Sequence, residues 1–227
     1  MATLTVYTDP PEGTTTVAGY VRRTGTNLTW ADVRDGVGTS VAIPIGGQRI
    51  VGIYSPSSNN FGELWRSIFT FDTSPLTTDA TISATVFSLS GYAKTDGLAI
   101  TPDVNVYGST PASNNDLVAG DYTQVGTTAY SDSVIAYADW STTGYNDFTF
   151  NSTGLSNVSK TGITRLGARN ANYDVANSAP TTNNADATSG VNGYYDQADN
   201  DPKLVVTYTV PAAGTTGPNL LTLLNVG

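Results

Sequence analysis

The sequence predicts an all-β protein with the architecture of a jelly-roll β-sandwich, with long loops and a short apolar C-terminal tail. Three observations support this fold class. Only 13% of the 227 residues are charged, and the chain contains 13 tyrosines together with abundant Thr, Ser, Gly and Asn, a composition that favours strands and turns. Apolar residues alternate with polar ones in several stretches. Short strands follow one another at intervals of roughly 8–15 residues, with almost no helical periodicity between them.

The clearest strands are the central pair, residues 66–76 and 80–89. In the second of these, Ile82, Ala84 and Val86 occupy one side, and Thr85, Phe87 and Leu89 belong to the other. A period of two is the repeat of a strand and does not suit a helix. Ser-Pro and Asp residues between the two segments favour a turn. We therefore predict two neighbouring strands joined by a turn, with the remaining strands packed around them.

The N-terminal part of the chain gives weaker signals. We predict short strands near Leu4 to Val6 and over 17–23, and either a strand or a helical turn over 30–34. Apolar runs at 41–45 and 48–54 flank Gly46-Gly47, which predicts a hairpin. Pro44 would place the first of these strands at a sheet edge.

After the central pair, we predict strands over 98–107, 133–137, 145–150, 163–169 and 203–210. A short helix is expected over 155–160, and long polar loops over 108–121 and 170–193. The domain boundaries follow: an N-terminal arm or first edge strand over 1–14, the sandwich over 15–210, a linker over 211–218 and an apolar anchor over 219–227. The anchor either folds back on its own domain or docks on a neighbouring subunit, because its leucines would be an aggregation hazard in water.

Composition excludes several classes of function. The net charge is −9, the isoelectric point is about 4.2, and the ten Lys and Arg residues form no basic stripe, so we expect no nucleic-acid partner. The absence of Cys and His removes thiolate chemistry, the Ser-His-Asp triad and the usual zinc ligands. We find no secretory signal in residues 1–4 and no apolar run of membrane-spanning length, and expect no membrane partner.

Three strings in the sandwich resemble the β-sandwich domain family labelled DNRLRE, which is similar to carbohydrate-binding jelly rolls. They are residues 66–76, 80–86 and 201–208, and residues 162–169 fit the penultimate strand of that family. The resemblance implies surface or glycan binding in an extracellular setting. Free-standing chains of this kind that end in a Leu-rich tail are similar to phage virion proteins.

Candidate binding residues fall into three groups. The tail residues predicted to bind a partner are Leu220, Leu221, Leu223, Leu224 and Val226. Aromatic residues predicted to stack on a glycan are Tyr194, Tyr195 and Trp140, although packing is the alternative role for each and Tyr194-Tyr195, in a presumed loop, is the better exposed pair. A structural calcium ion would use Asp196, Asp199 and Asp201, since calcium takes oxygen ligands, but these are also ordinary turn residues.

Structural roles are predicted for Arg66, Phe69, Phe71 and Asp72, with Arg66 and Asp72 either forming an ion pair or anchoring turns. Only two glutamates are present and no recognisable catalytic string surrounds the aspartates, so we expect no enzyme activity and no cofactor. Together with the resemblance to phage virion proteins, this implies a non-enzymatic structural or accessory protein of a virion, a capsid decoration or tail-associated subunit assembled in the host cytoplasm. It would contact other virion subunits, or itself as a homo-oligomer, through its tail and sheet edges. The alternative is an extracellular or cell-surface carbohydrate-binding module, and host glycans are compatible with both.

Overall fold

A computed structural model describes residues 1–8, 15–183, 186–197 and 199–211. Within these residues the chain forms twelve strands: β1 Ala2–Tyr7, β2 Ala18–Leu28, β3 Ser40–Ala42, β4 Gly46–Ser55, β5 Phe61–Asp72, β6 Thr81–Asp96, β7 Val104–Ser109, β8 Val125–Ala129, β9 Tyr145–Thr149, β10 Ile163–Asn170, β11 Ala187–Asp196 and β12 Lys203–Thr209. Every strand pairing is antiparallel. The predicted all-β sandwich is confirmed.

Helices are short and lie between strands: α1 Trp30–Asp35, α2 Ser152–Ser156, two 3₁₀ helices at Ala119–Gln124 and Tyr137–Asp139, and a π-helical turn at Ala171–Val175. The side chain of Thr29 accepts the backbone N–H of Asp32 and so begins α1, which resolves the alternatives predicted for 30–34 in favour of a helix. Across the described ranges, the helices are all too short and too polar to cross a lipid bilayer.

The strands form two packed sheets. The front sheet consists of β1, β12, β6 and β9, and the back sheet of β3, β2, β5, β4, β10, β7, β8 and β11. Strand β6 is 16 residues long and belongs to both, because residues 81–88 pair with β12 and residues 91–96 pair with β11. The front sheet therefore continues into the back sheet at one side of the sandwich.

The central pair of the sequence proves to be a pair across the sandwich, not within one sheet. Strand β5 pairs with β2 on one edge and with β4 and β10 on the other, so neither edge is left for β6. The residues between β5 and β6 instead carry the chain from one sheet to the other. Phe87 of β6 then meets Phe69 and Phe71 of β5, with ring centroids 5.2 and 5.7 Å apart. The predicted pair is thus consecutive in the chain and in contact, but the contact runs across the core and not through backbone hydrogen bonds.

The back sheet is covered on both faces at its central strand β5. Its inner face and the front sheet enclose an aromatic core that contains Phe69, Phe71, Phe87, Phe148 and Tyr195. Its outer face lies beneath α1 and the 3₁₀ helix at 119–124, where Leu64 and Ile68 meet Val33 and Tyr122. Strand β5 is consequently buried along almost its whole length. The alternation seen in half-exposed strands disappears when both faces are covered.

The four residues with predicted structural roles have distinct environments. Phe69 and Phe71 are fully buried in the inner core. Asp72 anchors the following turn, because its carboxylate accepts the backbone N–H of Ser74 at 2.9 Å. Arg66 forms its ion pair with Asp174, at 2.7 Å, and not with Asp72.

Several local predictions were also wrong. Strand β3 pairs with β2, so Gly46-Gly47 is not the turn of a β3–β4 hairpin and instead forms the start of β4. The predicted loop over 170–193 contains the π-helical turn and most of β11, since its small polar residues are accommodated between β4 and β6. The helix expected over 155–160 lies at Ser152–Ser156, where the side chain of Asn151 caps it. Most of the predicted linker and all of the tail, with Leu220, Leu221, Leu223, Leu224 and Val226, lie outside the described residues.

Candidate functional site

The tyrosines predicted to lie in a loop are both in β11, and their environments differ. Tyr195 is fully buried, its ring stacks on Phe69 at 5.5 Å, and its hydroxyl donates to the carbonyl of Arg49 at 2.8 Å. Tyr194 is half-buried and pairs with Gly47 of β4. Adjacent residues of a strand point to opposite sides, which is why only one of the two remains accessible. The prediction that Tyr195 is exposed was wrong.

Trp140 is also unavailable for stacking on a ligand. Its side chain is 2% exposed, belongs to the inner core, and donates its indole N–H to the carbonyl of Asn192 at 3.3 Å. Packing, the alternative considered for this residue, is therefore its observed role.

The acidic loop after β11 does not bring together a set of metal ligands among the described residues. The Asp201 carboxylate accepts the backbone N–H of Gln197 at 2.5 Å, which is an ordinary turn contact. Burial, and to a smaller extent the charge of Asp201, raises the pKa of Asp196 above its usual value. Calcium binding by Asp196, Asp199 and Asp201 stays a prediction.

The structure assembles a different candidate site around Trp65 of β5. Trp65 lies opposite Arg22 of β2 and opposite Gly52 of β4, and Gly52 in turn lies opposite Gly190 of β11. Residues directly opposite one another in paired strands project to the same side of a sheet. We call this surface the Trp65 face and define it by Arg22, Arg49, Glu63, Trp65, Tyr92, Asn192 and Tyr194.

Two guanidinium groups lie against the indole ring of Trp65. The Cζ atoms of Arg22 and Arg49 are 5.5 and 5.3 Å from its centroid, within the range of cation–π attraction. Arg22 is also held by Glu63, with Nη1 and Oε2 2.7 Å apart. The Glu63 carboxylate is therefore a paired hydrogen-bond acceptor and not a free acid.

Glycines allow Arg49 to lie flat on the sheet. A Cβ atom at Gly52 would be 2.3 Å from Arg49 Cδ, and one at Gly190 would be 2.6 Å from Arg49 Nη1. Any side chain at either position would displace the arginine from Trp65. The absence of side chains at Gly52 and Gly190 thus leaves the space that the Arg49 side chain occupies.

Tyr92 and Tyr194 form the aromatic border of the same face. Their ring centroids are 5.0 Å apart, and a Cβ atom at Gly47 would be 2.3 Å from the Tyr92 ring. The Asn192 side-chain amide donates to the Tyr92 hydroxyl at 3.3 Å. Both rings are half-buried, so part of each remains accessible.

Unused hydrogen-bonding capacity is concentrated on the Trp65 face. Seven buried side-chain atoms have no hydrogen-bond partner within the described ranges, and three of them are here: Arg22 Nε, Arg49 Nη1 and Asn192 Oδ1. Leaving such groups unpaired typically costs about 1–3 kcal/mol each. Two donors and one acceptor lie next to aromatic rings, an arrangement that suits a ligand bearing both hydroxyl groups and apolar C–H surface.

Burial also affects the charge on this face. It lowers the pKa of Arg49 below its ordinary value, and the attraction of Tyr92, Glu63 and Tyr195 only partly opposes this. An arginine remains charged despite such a shift. The guanidinium is therefore a cation that lacks a carboxylate of its own.

Sequence reasoning missed most of the Trp65 face. Trp65 lies in a strand that is buried along almost its whole length and is itself only 8% exposed, so its sequence context resembles that of a core residue. Arg22, Arg49 and Glu63 gave no signal because they come from three different strands. The pairing of β4 with β11 that brings Gly190 to Arg49 spans more than 130 residues of sequence, which no local pattern reveals.

Comparison with known proteins adds little. No family model and no curated protein matches the sequence. Among solved structures, a chain described as the xylan-binding module CBM15 is similar over 90% of this chain and 97% of that one, with 10% identity and a TM-score of 0.31.

Proposed function

We propose that the protein is a non-catalytic carbohydrate-binding protein and that the Trp65 face binds the glycan. The observation that carries this proposal is the grouping of unpartnered polar atoms with accessible aromatic rings on one sheet face. Sugar rings present apolar C–H surface to aromatic side chains and hydroxyls to polar groups, and binding sites of this kind combine both features.

Each residue has a definite part in this proposal. Tyr92 and Tyr194 contribute the surface on which a sugar ring packs. Arg22 and Arg49 donate hydrogen bonds to ring hydroxyls, and Trp65 holds the two guanidinium groups in place from beneath. The Arg22 side chain is 29% exposed, so part of it is accessible to a ligand. The Oδ1 atom of Asn192 accepts a hydrogen bond from a sugar hydroxyl.

Binding without hydrolysis follows from the state of the carboxylate. Glycoside hydrolysis uses two carboxyl groups, one of which must be a proton donor or a nucleophile. Glu63 is engaged by Arg22 at 2.7 Å. It is the single carboxylate among the residues that define the Trp65 face, and in this proposal it orients Arg22.

Affinity gel electrophoresis tests the proposal with xylan, mixed-linkage β-glucan, galactomannan and alginate as separate probes. At least one polymer should retard the native protein, and Tyr194→Ala combined with Arg49→Met should weaken retardation about tenfold or more. The matched control is Tyr7→Ala, which removes a tyrosine that is 51% exposed on β1 of the front sheet. Retardation by alginate alone would identify the ligand as an acidic glycan, which the positive charges of Arg22 and Arg49 favour. Undiminished binding of the double variant, or no binding of the native chain to any probe, would exclude the proposal.

The predicted role in a virion has no counterpart in this geometry. Its anchor is the apolar tail over 219–227, which lies outside the described residues. That role stays a prediction from the sequence, and carbohydrate binding is the function that the described residues support best.

A further inference from the structure

A polar pocket separate from the Trp65 face lies in the back sheet, between β7, β8 and β10. Its volume is about 400 Å³, and that of ligand pockets is typically about 300–1,000 Å³. The side chains that matter here are Tyr130, Thr127, Thr128, Gln124 and Arg165. None of these residues belongs to the Trp65 face.

An irregularity in strand pairing creates the pocket. Strand β7 pairs with β8 at Tyr107 with Ala129 and at Ser109 with Val125, so the single residue Gly108 faces three residues of β8. The extra residues bend β8 away from its neighbour. Bulges of this kind often lie beside binding sites, where they redirect side chains.

Tyr130 is fixed in the wall of this pocket. Its backbone N–H donates to Val106 at 2.9 Å, its backbone carbonyl accepts from Asn151 at 2.7 Å, and its ring meets Phe150 edge-on at 5.8 Å. The residue is 9% exposed. Its hydroxyl lies over Gly108, where a Cβ atom would be 2.3 Å away, and it makes no hydrogen bond to any described residue.

The polar groups around this hydroxyl are also available. Arg165 uses Nε to bind Asn114 at 2.7 Å, which leaves both terminal nitrogens unpaired within the described chain. The hydroxyls of Thr127 and Thr128 likewise have no partner among the described residues. Burial raises the pKa of Tyr130 above its usual value, so the phenol stays protonated at neutral pH and both donates and accepts.

We propose that this pocket binds a single neutral sugar residue, such as the end or a side branch of a glycan, independently of the Trp65 face. The hydroxyls of Tyr130, Thr127 and Thr128 match the donor and acceptor capacity of sugar hydroxyls, and the Arg165 guanidinium donates to a ring or hydroxyl oxygen. Ile163 supplies apolar surface at the same wall. Because no carboxylate lines the pocket, it holds a ligand without a group that could cleave it.

The test is a titration of the isotope-labelled protein with glucose, galactose, xylose and N-acetylglucosamine in turn, followed by NMR chemical-shift changes. One of these sugars should shift the amide signals of residues 108, 126–128 and 130. Tyr130→Phe should lower the affinity for that sugar by about 3- to 10-fold, the effect of one lost hydrogen bond. It should leave the unfolding midpoint unchanged, because the hydroxyl has no protein partner.

Two further variants separate this site from the Trp65 face. Gly108→Ala should displace the Tyr130 hydroxyl and weaken binding at least as much as Tyr130→Phe. Tyr92→Phe, on the Trp65 face, should leave sugar binding at the pocket unchanged. If none of the four sugars shifts these signals, or if Tyr130→Phe binds as tightly as the native chain, the pocket does not bind a sugar, whatever the outcome for the Trp65 face.

Discussion

Two clusters of arginines lie on the back sheet, and the difference between them is how completely their nitrogen atoms are used. Arg66 and Arg169 each grip Asp174 through two hydrogen bonds of 2.6–2.8 Å. Arg66 also donates to the carbonyls of Tyr122 and Arg34. Around Trp65, by contrast, Arg22 and Arg49 each retain a buried nitrogen without a partner in the described chain. Buried polar groups in proteins are normally hydrogen-bonded, so the first cluster needs no further partner, whereas the unpartnered atoms of the second require an explanation, which the proposed ligand supplies.

The two clusters also differ in how far a carboxylate offsets the cost of burying their arginines. Burial disfavours the charged form of both Arg66 and Arg49. At Arg66 the carboxylate of Asp174 outweighs burial, and the pKa lies above its ordinary value. At Arg49 burial dominates, and the pKa lies below its ordinary value. The first cluster contributes to folding, whereas the second retains capacity for a ligand.

Replacement of Asp174 should have the largest effect on the structural cluster. Asp174→Asn leaves the guanidinium groups of Arg66 and Arg169 buried without a counter-charge, since the Asp174 side chain is 0% exposed. Breaking a buried ion pair in this way typically costs about 3–5 kcal/mol. Urea unfolding should show that loss in the free energy of unfolding. Asp35→Asn is the matched control, because Asp35 is 56% exposed beside Arg34 and its loss should cost about 1 kcal/mol or less.

The same variant makes a prediction about acid stability. Burial would raise the pKa of Asp174, but the charge of Arg66 and the hydrogen bonds from Arg169 and Arg66 lower it below its ordinary value of 3.8. A lowered pKa stabilises the fold above pH 3.8, and this stabilisation is lost as the pH falls below that value towards the folded-state pKa. The loss is about 1.4 kcal/mol per pH unit for each proton taken up. Equal acid sensitivity of the native chain and Asp174→Asn would show that Asp174 is not the group that titrates.

Replacing one arginine of each cluster by methionine should give two different losses in the free energy of unfolding, both smaller than the loss expected for Asp174→Asn. Arg66→Met removes four hydrogen bonds, two to Asp174 and two to backbone carbonyls, but leaves Asp174 paired with Arg169, so a loss of at least about 1.5–3 kcal/mol is expected. Arg49→Met keeps the apolar stem and removes a cation–π contact worth about 1 kcal/mol or less. Arg66→Met should therefore lose more free energy of unfolding than Arg49→Met. Arg49→Met should lose more affinity for the polymer that retards the native chain. Equal stability losses would remove the basis of the comparison.

Features of the fold and of the candidate site could be predicted from the sequence where they depend on residues close together in the chain, and could not where they depend on distant ones. The alternation over 80–89 separated Thr85, Phe87 and Leu89, which are buried, from Ile82, Ala84 and Val86, which are not, because that pattern is local. It did not indicate which of the two sides faces the core. The pairing of strands was not accessible in this way, and the pattern did not show that the two strands of the central pair belong to opposite sheets. Asp174 was hidden in a run of small polar residues that resembles a loop. Its partner Arg66 lies 108 residues earlier in the chain, a separation at which composition and periodicity carry no information.

Tyr194 and Tyr195 give the smallest and most local form of the comparison. Tyr195→Phe leaves the carbonyl of Arg49 without its donor and removes one contact of Ser67, whose hydroxyl still donates to the carbonyl of Ile50. We expect a loss of about 1 kcal/mol in the free energy of unfolding and no change in glycan binding. Tyr194→Ala should do the reverse, since its ring borders the Trp65 face and is only half-buried. Measured side by side by urea unfolding and affinity electrophoresis, two adjacent tyrosines would then report separately on the core and on the binding face. Weakened glycan binding in Tyr195→Phe would mean that the inner core and the Trp65 face are coupled through Arg49, and that they cannot be treated as separate regions.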